Sequence, residues 1–362
     1  MRHPIVILIF LSFITCHLSR AQNSYIVGFR AHYGFIIPHA VDLKPVSKTR
    51  PRGFELEWNW QLMSKNAWNY CYCYPRTGVS FFFIDYHNPD ILGHAYATYF
   101  FIEPVINAEK KLNISFRFGM GPSFMDRVYD EQSNPENTFY SSRLSFIVLL
   151  KTTINYRINN SLGLQMAANY NHISNGGIKN PNRGINFPTF NLGIDYYLRP
   201  QPYTIRLKND TIDLNPKKNR FEVAVFGTGK TDIKGHTHYP VYGIYGNYTR
   251  VVGRLSGISA GIELTNDLAD KHEIERLQIT SDSSNVDHKY AAILAGHDLL
   301  IGRFVFKIQI GAYIYSPFKR EDPVYQRYGL NFHITDELYT GINIKAHRHI
   351  ADFLDIRLGY TF

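Results

Sequence analysis

Apolar and polar residues alternate over long stretches of this chain, and this period limits the folds that it can form. Successive side chains of a β-strand point to opposite faces, so the alternation predicts strands with one apolar and one polar face. In a soluble sandwich the apolar faces would form a core, whereas in a membrane barrel they would face lipid. The apolar positions of two such stretches are Phe54, Leu56, Trp58 and Trp60, and Leu112, Ile114, Phe116 and Phe118.

The composition favours the membrane barrel over a large secreted β-protein. The chain has 26 Tyr and 25 Phe, and only 19% of its residues are charged. Beyond the N-terminus, no stretch reaches the roughly 18 consecutive apolar residues that a membrane helix needs. At the N-terminus, Arg2 precedes the apolar residues 5–14, and Ser19-Arg20-Ala21 forms a small-x-small cleavage site. We therefore predict that residues 1–21 are a signal peptide and that the protein is exported.

The net charge, the histidine pairs and the cysteines restrict the partners and the bound groups that the sequence predicts. The formal net charge of +9 suits a surface that meets anionic lipid or phosphate groups, and export argues against nucleic acid as a partner. The His-x-His pairs at residues 236–238 and 347–349 lack a third ligand, so we predict neither a metal site nor a cofactor. Cys71 and Cys73 are two residues apart on a segment predicted to be extended, which favours ordinary wall residues over a disulfide.

The last residues form a further alternating stripe. It resembles the C-terminal strand of outer-membrane barrel proteins, which their assembly machinery reads. The resemblance implies the outer membrane of a Gram-negative bacterium as the location, with outer-membrane lipid and the assembly machinery as partners; a homodimer stays open. The apolar positions of the stripe are Leu354, Ile356, Leu358, Tyr360 and Phe362.

The number of strands predicts either one large barrel or two small ones. About eight strand candidates lie in residues 22–198, and about eight more lie in residues 220–362. The prolines and charges of residues 199–219 predict a linker between them. Similar segments in the two halves indicate a duplication. We therefore predict an all-β, antiparallel transmembrane β-barrel of about 14–16 strands or, alternatively, two tandem eight-stranded barrels. The single barrel is preferred because two barrels in one chain are uncommon.

A His and a Ser lie two residues apart near the end of the seventh predicted strand, residues 161–174. If the N-terminus is periplasmic, this strand runs outward, and His172 and Ser174 share its apolar, membrane-facing side. At about 7 Å between Cα atoms, the imidazole can reach the hydroxyl and accept its proton. Asn186 lies on the same side of the next predicted strand. The alternative interpretation is that these polar residues simply end their strands at the interfacial belt.

The segment HISNGGIKNPNRGIN is similar to the signature of the outer-membrane lipid A 3-O-deacylases, the PagL family, which has H-x-S-N followed by a PN-x-G turn. The resemblance covers residues 25–198. It implies a serine esterase that removes the 3-linked acyl chain of lipid A in lipopolysaccharide. His172 would be the general base and Ser174 the nucleophile, with Asn175 and Gly177 contributing to the oxyanion hole.

The chain departs from the family at the catalytic acid. The position of the family's Glu is Asn186 here, and an amide can orient the imidazole but supplies no charge. Asp130, Glu131 or Glu136 could substitute from another loop. A weak or inactive binding barrel is therefore one alternative function, and a channel is another.

Basic residues crowd two of the predicted extracellular loops. They are suited to holding lipid A phosphates, although a generic basic rim against anionic lipopolysaccharide explains them equally well. These residues are Lys44, Lys48, Arg50, Arg52, Lys179 and Arg183.

Overall fold

The computed structural model describes residues 23–208, 213–215, 217–231, 237–277, 280–281, 284–318, 322–348 and 350–362. The predicted signal peptide, residues 1–21, lies outside the described residues, as do His236 and His349. Neither of the two helices in this part of the chain is long and apolar enough to cross a membrane.

The first half forms an eight-stranded antiparallel barrel with one additional two-residue strand, β5. Strand β9 pairs with β1, and β4 pairs with β6, so the sheet closes on itself. A short helix, Lys65–Cys71, follows β2. The strands are β1 (Ser24–Gly34), β2 (Arg52–Gln61), β3 (Arg76–Asp85), β4 (His94–Glu103), β5 (Val105–Ile106), β6 (Leu112–Met125), β7 (Leu144–Arg157), β8 (Leu162–Ser174) and β9 (Ile185–Tyr197).

The second half forms a barrel of its own, closed by the pairing of β10 with β19. A helix, Leu268–Leu277, and a small hairpin follow β12. The strands are β10 (Asn219–Thr231), β11 (His238–Val251), β12 (Ser256–Asp267), β13 (Thr280–Ser281), β14 (Ser284–Asn285), β15 (Lys289–Ile301), β16 (Phe304–Tyr315), β17 (Val324–His333), β18 (Leu338–His347) and β19 (Ile350–Thr361).

The all-β, antiparallel barrel fold is confirmed, and of the two predicted arrangements the chain adopts the tandem eight-stranded barrels. The preferred single barrel does not form, because β9 and β19 each return to the first strand of their own half. Alternation predicts strands and faces but not pairing partners. The sequence pattern therefore could not choose between the two closures.

The interior of the first barrel contains two layers. One is a network of buried ion pairs, in which Arg117 contacts Glu57 and Glu103 at 2.5 Å and Arg30 contacts Glu57 at 2.9 Å. The other is a hydrophobic cluster that includes Phe82 and residues of the connecting loops. The second barrel repeats the ionic layer with another set of residues. Each interior is filled with side chains, as is common for eight-stranded barrels.

The filled interiors lead us to expect no ion conductance. Arg30, Glu57 and Arg117 are fully buried and ion-paired across the lumen of the first barrel. Recordings in planar bilayers should therefore show no single-channel steps above the noise of a protein-free membrane. Stable, voltage-independent steps from the purified protein would instead support the channel alternative.

The prediction for Cys71 and Cys73 is wrong. They form a disulfide at the end of the Lys65–Cys71 helix rather than standing in a wall. Tyr72 between them adopts a left-handed conformation, with φ of 51°. The chain therefore turns sharply and brings the two Cα atoms to 5.0 Å, a separation that a disulfide can span.

Candidate active site

The site lies on the outer wall of the first barrel, where β8 ends. We call this end of the barrel the upper rim; it carries the loops 35–51, 126–143 and 175–184. His172 on β8 pairs directly with Asn186 on β9 in the strand register. The spacing of fourteen residues in the sequence is therefore a cross-strand contact between neighbours.

His172 and Asn186 are hydrogen-bonded. Nδ1 of His172 lies 2.7 Å from Oδ1 of Asn186. A side-chain amide oxygen only accepts hydrogen bonds, so His172 donates from Nδ1 and keeps its lone pair on Nε2. Asn186 thus sets the tautomer that a general base needs.

Gly184 packs against both Ser174 and the imidazole of His172. A Cβ atom added to Gly184 would lie 3.1 Å from His172 Nε2 and 3.2 Å from Ser174 Cβ. It would also lie 2.5 Å from His172 Cε1, which is closer than real atoms approach. Gly184 has φ of +71° as well, so its position requires glycine both for conformation and for space.

The segment after Ser174 is held by its own side chains. The N–H of Asn175 donates to Asn182 Oδ1 at 3.0 Å, and the N–H of Gly177 donates to Asn175 Oδ1 at 3.0 Å. Asn175 also donates from Nδ2 to the Lys179 carbonyl at 2.7 Å. Both predicted oxyanion donors therefore already have an acceptor within the loop.

Rigid packing supports the site from inside the barrel. Ile173, Ile185 and Phe187 alternate with the site residues and are fully buried in the hydrophobic cluster. The loop 126–143 adds hydrogen bonds from outside the strands, because the N–H of Gly184 donates to the Phe139 carbonyl at 2.7 Å. Site residues mounted on strands and backed by a packed core keep a defined geometry.

The alternative acids do not contact the imidazole. Asp130 accepts hydrogen bonds from the N–H and hydroxyl of Ser133, and these bonds lower the pKa of Asp130. Glu131 and Glu136 are exposed. Within the described residues, Asn186 is the hydrogen-bond partner that the structure provides for the His172 imidazole.

His39 is a site residue that the sequence analysis missed. Nδ2 of Asn186 donates to Nδ1 of His39 at 3.4 Å, which extends the polar chain from His172 through Asn186. The N–H of Ile37 donates to the Asn186 carbonyl at 2.9 Å and so fixes the loop 35–51 against β9. These contacts span about 150 positions of sequence, and no local pattern marks His39.

The six predicted phosphate-binding cations have two kinds of surroundings in the structure. Arg183 forms an ion pair with Asp42 at 3.2 Å, and the Arg52 guanidinium lies 5.8 Å from the centre of the Tyr33 ring. The remaining four side chains are exposed; they are Lys44, Lys48, Arg50 and Lys179. As to metals, the described part of the chain contains no group of three His, Cys, Asp or Glu residues placed to hold an ion.

Comparison with known proteins gives matches to both halves of the chain. Residues 52–195 match the family of lipid A 3-O-deacylases (PagL), and residues 219–362 match the acyloxyacyl hydrolase C-terminal domain. No curated protein matches the chain.

Among solved structures, Neisserial surface protein A (NspA) is similar at 10% identity and a TM-score of 0.31, over 48% of this chain and 96% of that one. A mutant porin of Rhodopseudomonas blastica is similar at 7% identity and a TM-score of 0.19, over 94% of this chain and 100% of the porin. Similarity at this level carries no argument about function. The first match begins at β2 and the second spans the whole second barrel; by these two matches the chain belongs to the lipid A 3-O-deacylase (PagL) family, with an acyloxyacyl hydrolase C-terminal domain as its second half.

Proposed function

We propose that this protein is a serine esterase of the bacterial outer membrane that removes the 3-O-linked acyl chain of lipid A. The observation that carries the proposal is the hydrogen bond from His172 to Asn186 beside Ser174, on the outer wall of the first barrel. The acyl esters of lipid A lie between its sugars and its hydrocarbon chains. A nucleophile on the outer wall near the rim can reach these esters while the substrate stays outside the barrel.

In the proposed reaction Ser174 Oγ attacks the ester carbonyl while Nε2 of His172 takes its proton. The tetrahedral intermediate collapses, the sugar 3-hydroxyl leaves with the proton from His172, and the acyl chain stays on Ser174. Water, activated by the same imidazole, then releases the fatty acid and regenerates the hydroxyl. The N–H groups of Asn175 and Gly177 are the proposed oxyanion donors, and the substrate oxygen must share or displace their present acceptors.

The exposed cations of the upper rim suit the phosphate groups of the same substrate. Three of them, Lys44, Lys48 and Arg50, lie on the loop 35–51, and Lys179 lies on the loop after Ser174. We propose them, with Arg52 and Arg183, as phosphate contacts that orient lipid A. Residues 1–21 are proposed as the signal peptide that exports the chain.

The proposal is tested with the purified full chain in detergent and lipid A as substrate. Mass spectrometry should detect lipid A that has lost a single 3-linked hydroxyacyl chain, together with the free fatty acid. Lipid A that carries only 2-linked acyl chains is the matched control and should stay intact. If both substrates are unchanged, the esterase proposal is wrong and the inactive binding barrel takes its place.

Restoring the acid that the family carries should raise activity. An ionised acceptor strengthens a hydrogen bond by about 1–1.5 kcal/mol over a neutral one, so Asn186→Glu is expected to increase kcat about tenfold. Asn186→Ala removes the 2.7 Å hydrogen bond to His172 and should lower kcat by a similar factor. Initial rates of fatty-acid release check both variants. Equal rates in wild type, Asn186→Glu and Asn186→Ala would contradict the role given to Asn186.

A further inference from the structure

The segment that follows Ser174 packs against the second barrel. A Cβ atom added to Gly176 would lie 3.1 Å from Leu354 Cβ, and one added to Gly177 would lie 2.6 Å from the Asp352 carbonyl oxygen. Both glycines have positive φ, at +68° and +83°. The backbone here approaches β19 so closely that a side chain has no room.

Exposure along β19 marks the extent of this contact. Its outward-facing residues Ile356 and Leu358 are 64% and 52% exposed, as expected for side chains that face lipid. Leu354 shares their face but is half-buried, and Gly176 and Gly177 are buried. The loop of the first barrel therefore covers the upper end of an otherwise open stripe.

The part of β19 that meets the loop is itself anchored. The Asp352 carboxylate forms an ion pair with Lys230 at 2.7 Å and lies 3.9 Å from Lys345. Lys230 also contacts Asp267 at 2.8 Å. Four strands of the second barrel are thus tied together at the point where it touches the first.

The barrels also touch at two other levels. The Phe118 and Phe306 rings meet edge to face with centroids 5.4 Å apart. At the end opposite the upper rim, the Arg254 guanidinium lies 4.0 Å from the centre of the Tyr72 ring and hydrogen-bonds to Tyr72 and to the Asn69 carbonyl. Contacts at three levels fix the barrels side by side, which a single loop contact would not do.

We propose that the second barrel supports the loop 175–184 of the first barrel, with Leu354 as a positioning residue that holds Asn175, Gly176 and Gly177 in place. This inference rests on the proposed esterase function. It gives the second half a role in the same reaction, although it contributes no group that touches the ester. A support of this kind affects the placement of oxyanion donors, and small displacements of catalytic groups lower kcat by up to about a hundredfold.

The test compares Leu354→Ala and Leu354→Trp with Leu358→Ala in the full chain. Leu358 lies on the same outward face of β19 but at an exposed position, so it controls for the loss of an apolar side chain from that face. Hydrogen exchange of the peptide 175–184 and the separate kcat and KM for fatty-acid release are measured. Both Leu354 variants should speed exchange in that peptide and lower kcat about tenfold with KM unchanged, whereas Leu358→Ala should do neither.

The possible failures are distinguishable. A wild-type chain that releases no fatty acid overturns the proposed function, whatever the exchange data. If the wild type is active but exchange in the peptide 175–184, or kcat, is unchanged in both Leu354 variants, the support role alone is wrong. A matching change in Leu358→Ala would also overturn it, because the effect would then belong to the lipid-facing stripe as a whole.

Discussion

Ser174→Ala is expected to lower the kcat for release of fatty acid from lipid A by at least about a thousandfold, while the barrel remains folded. Removal of the nucleophile from a serine hydrolase costs about 10⁶ in kcat when the remaining site is intact, and the neutral Asn186 leaves less to lose here. The hydroxyl projects from the lipid-facing side of β8, opposite the buried Ile173, so its loss leaves the core unchanged. Mass spectrometry of lipid A and the rate of fatty-acid release measure the effect.

A serine outside the site provides the matched control. Ser142 lies at the upper rim on the loop 126–143, and its hydroxyl donates to the Leu144 carbonyl at 2.8 Å. Ser142→Ala should keep wild-type activity. Heat-dependent migration on gels verifies that both variants fold as barrels. If Ser174→Ala keeps more than about a tenth of the wild-type rate, another group is the nucleophile and the assignment of Ser174 is wrong.

The placement of His172 and Ser174 could be predicted because strand parity is a local property. Every second residue of β8 faces outward, so Leu164, Met166 and Tyr170 lie on the same side as the two polar residues. The period can be seen in one strand alone. The register depends on the neighbouring strand, and the pairing of β8 with β9 is what places His172 within hydrogen-bond distance of Asn186.

What the sequence could not provide depends on contacts between distant segments. His39 contacts Asn186 across 147 positions of the sequence, and Leu354 contacts Gly176 from the other barrel. The number of barrels also depends on a contact between distant segments, namely the pairing of β9 with β1. Cys71 and Cys73 show that local patterns can also mislead, since the left-handed conformation of Tyr72 turns a segment predicted to be extended and lets the two cysteines form a disulfide.

In the first barrel, the buried ion pairs and the residues proposed for catalysis lie on opposite sides of the wall. Arg117, Glu57 and Glu103 point into the first barrel, where they pair with each other away from water. The polar residues proposed for catalysis point outward near the rim, away from this network. We therefore expect the stability of the barrel to depend on the inner network and to be little affected by changes of His172, Ser174 and Asn186.

Arg117→Met is accordingly expected to lower the free energy of unfolding by about 3–5 kcal/mol, since it removes the buried cation that contacts both Glu57 and Glu103. Glu57 would keep its pair with Arg30 at 2.9 Å, whereas Glu103 would keep a longer contact with Arg76 at 4.0 Å. The guanidinium also lies 3.6 Å from the centre of the Phe101 ring, a contact that Met replaces only in part. Denaturant unfolding of the full chain in detergent micelles measures the change.

Lys218→Met is the control for Arg117→Met, because it removes the cation of an ion pair that is exposed rather than buried. Lys218 contacts Asp213 at 2.8 Å, and both side chains are nearly half exposed, so water replaces the lost partner. The expected cost is below about 1 kcal/mol. Arg117→Lys should fall between the two, because lysine keeps the charge but not the two-pronged contact with both glutamates. If Arg117→Met and Lys218→Met shift the unfolding free energy equally, the buried network does not determine the stability of the barrel, and the packing of the hydrophobic cluster above it must do so instead.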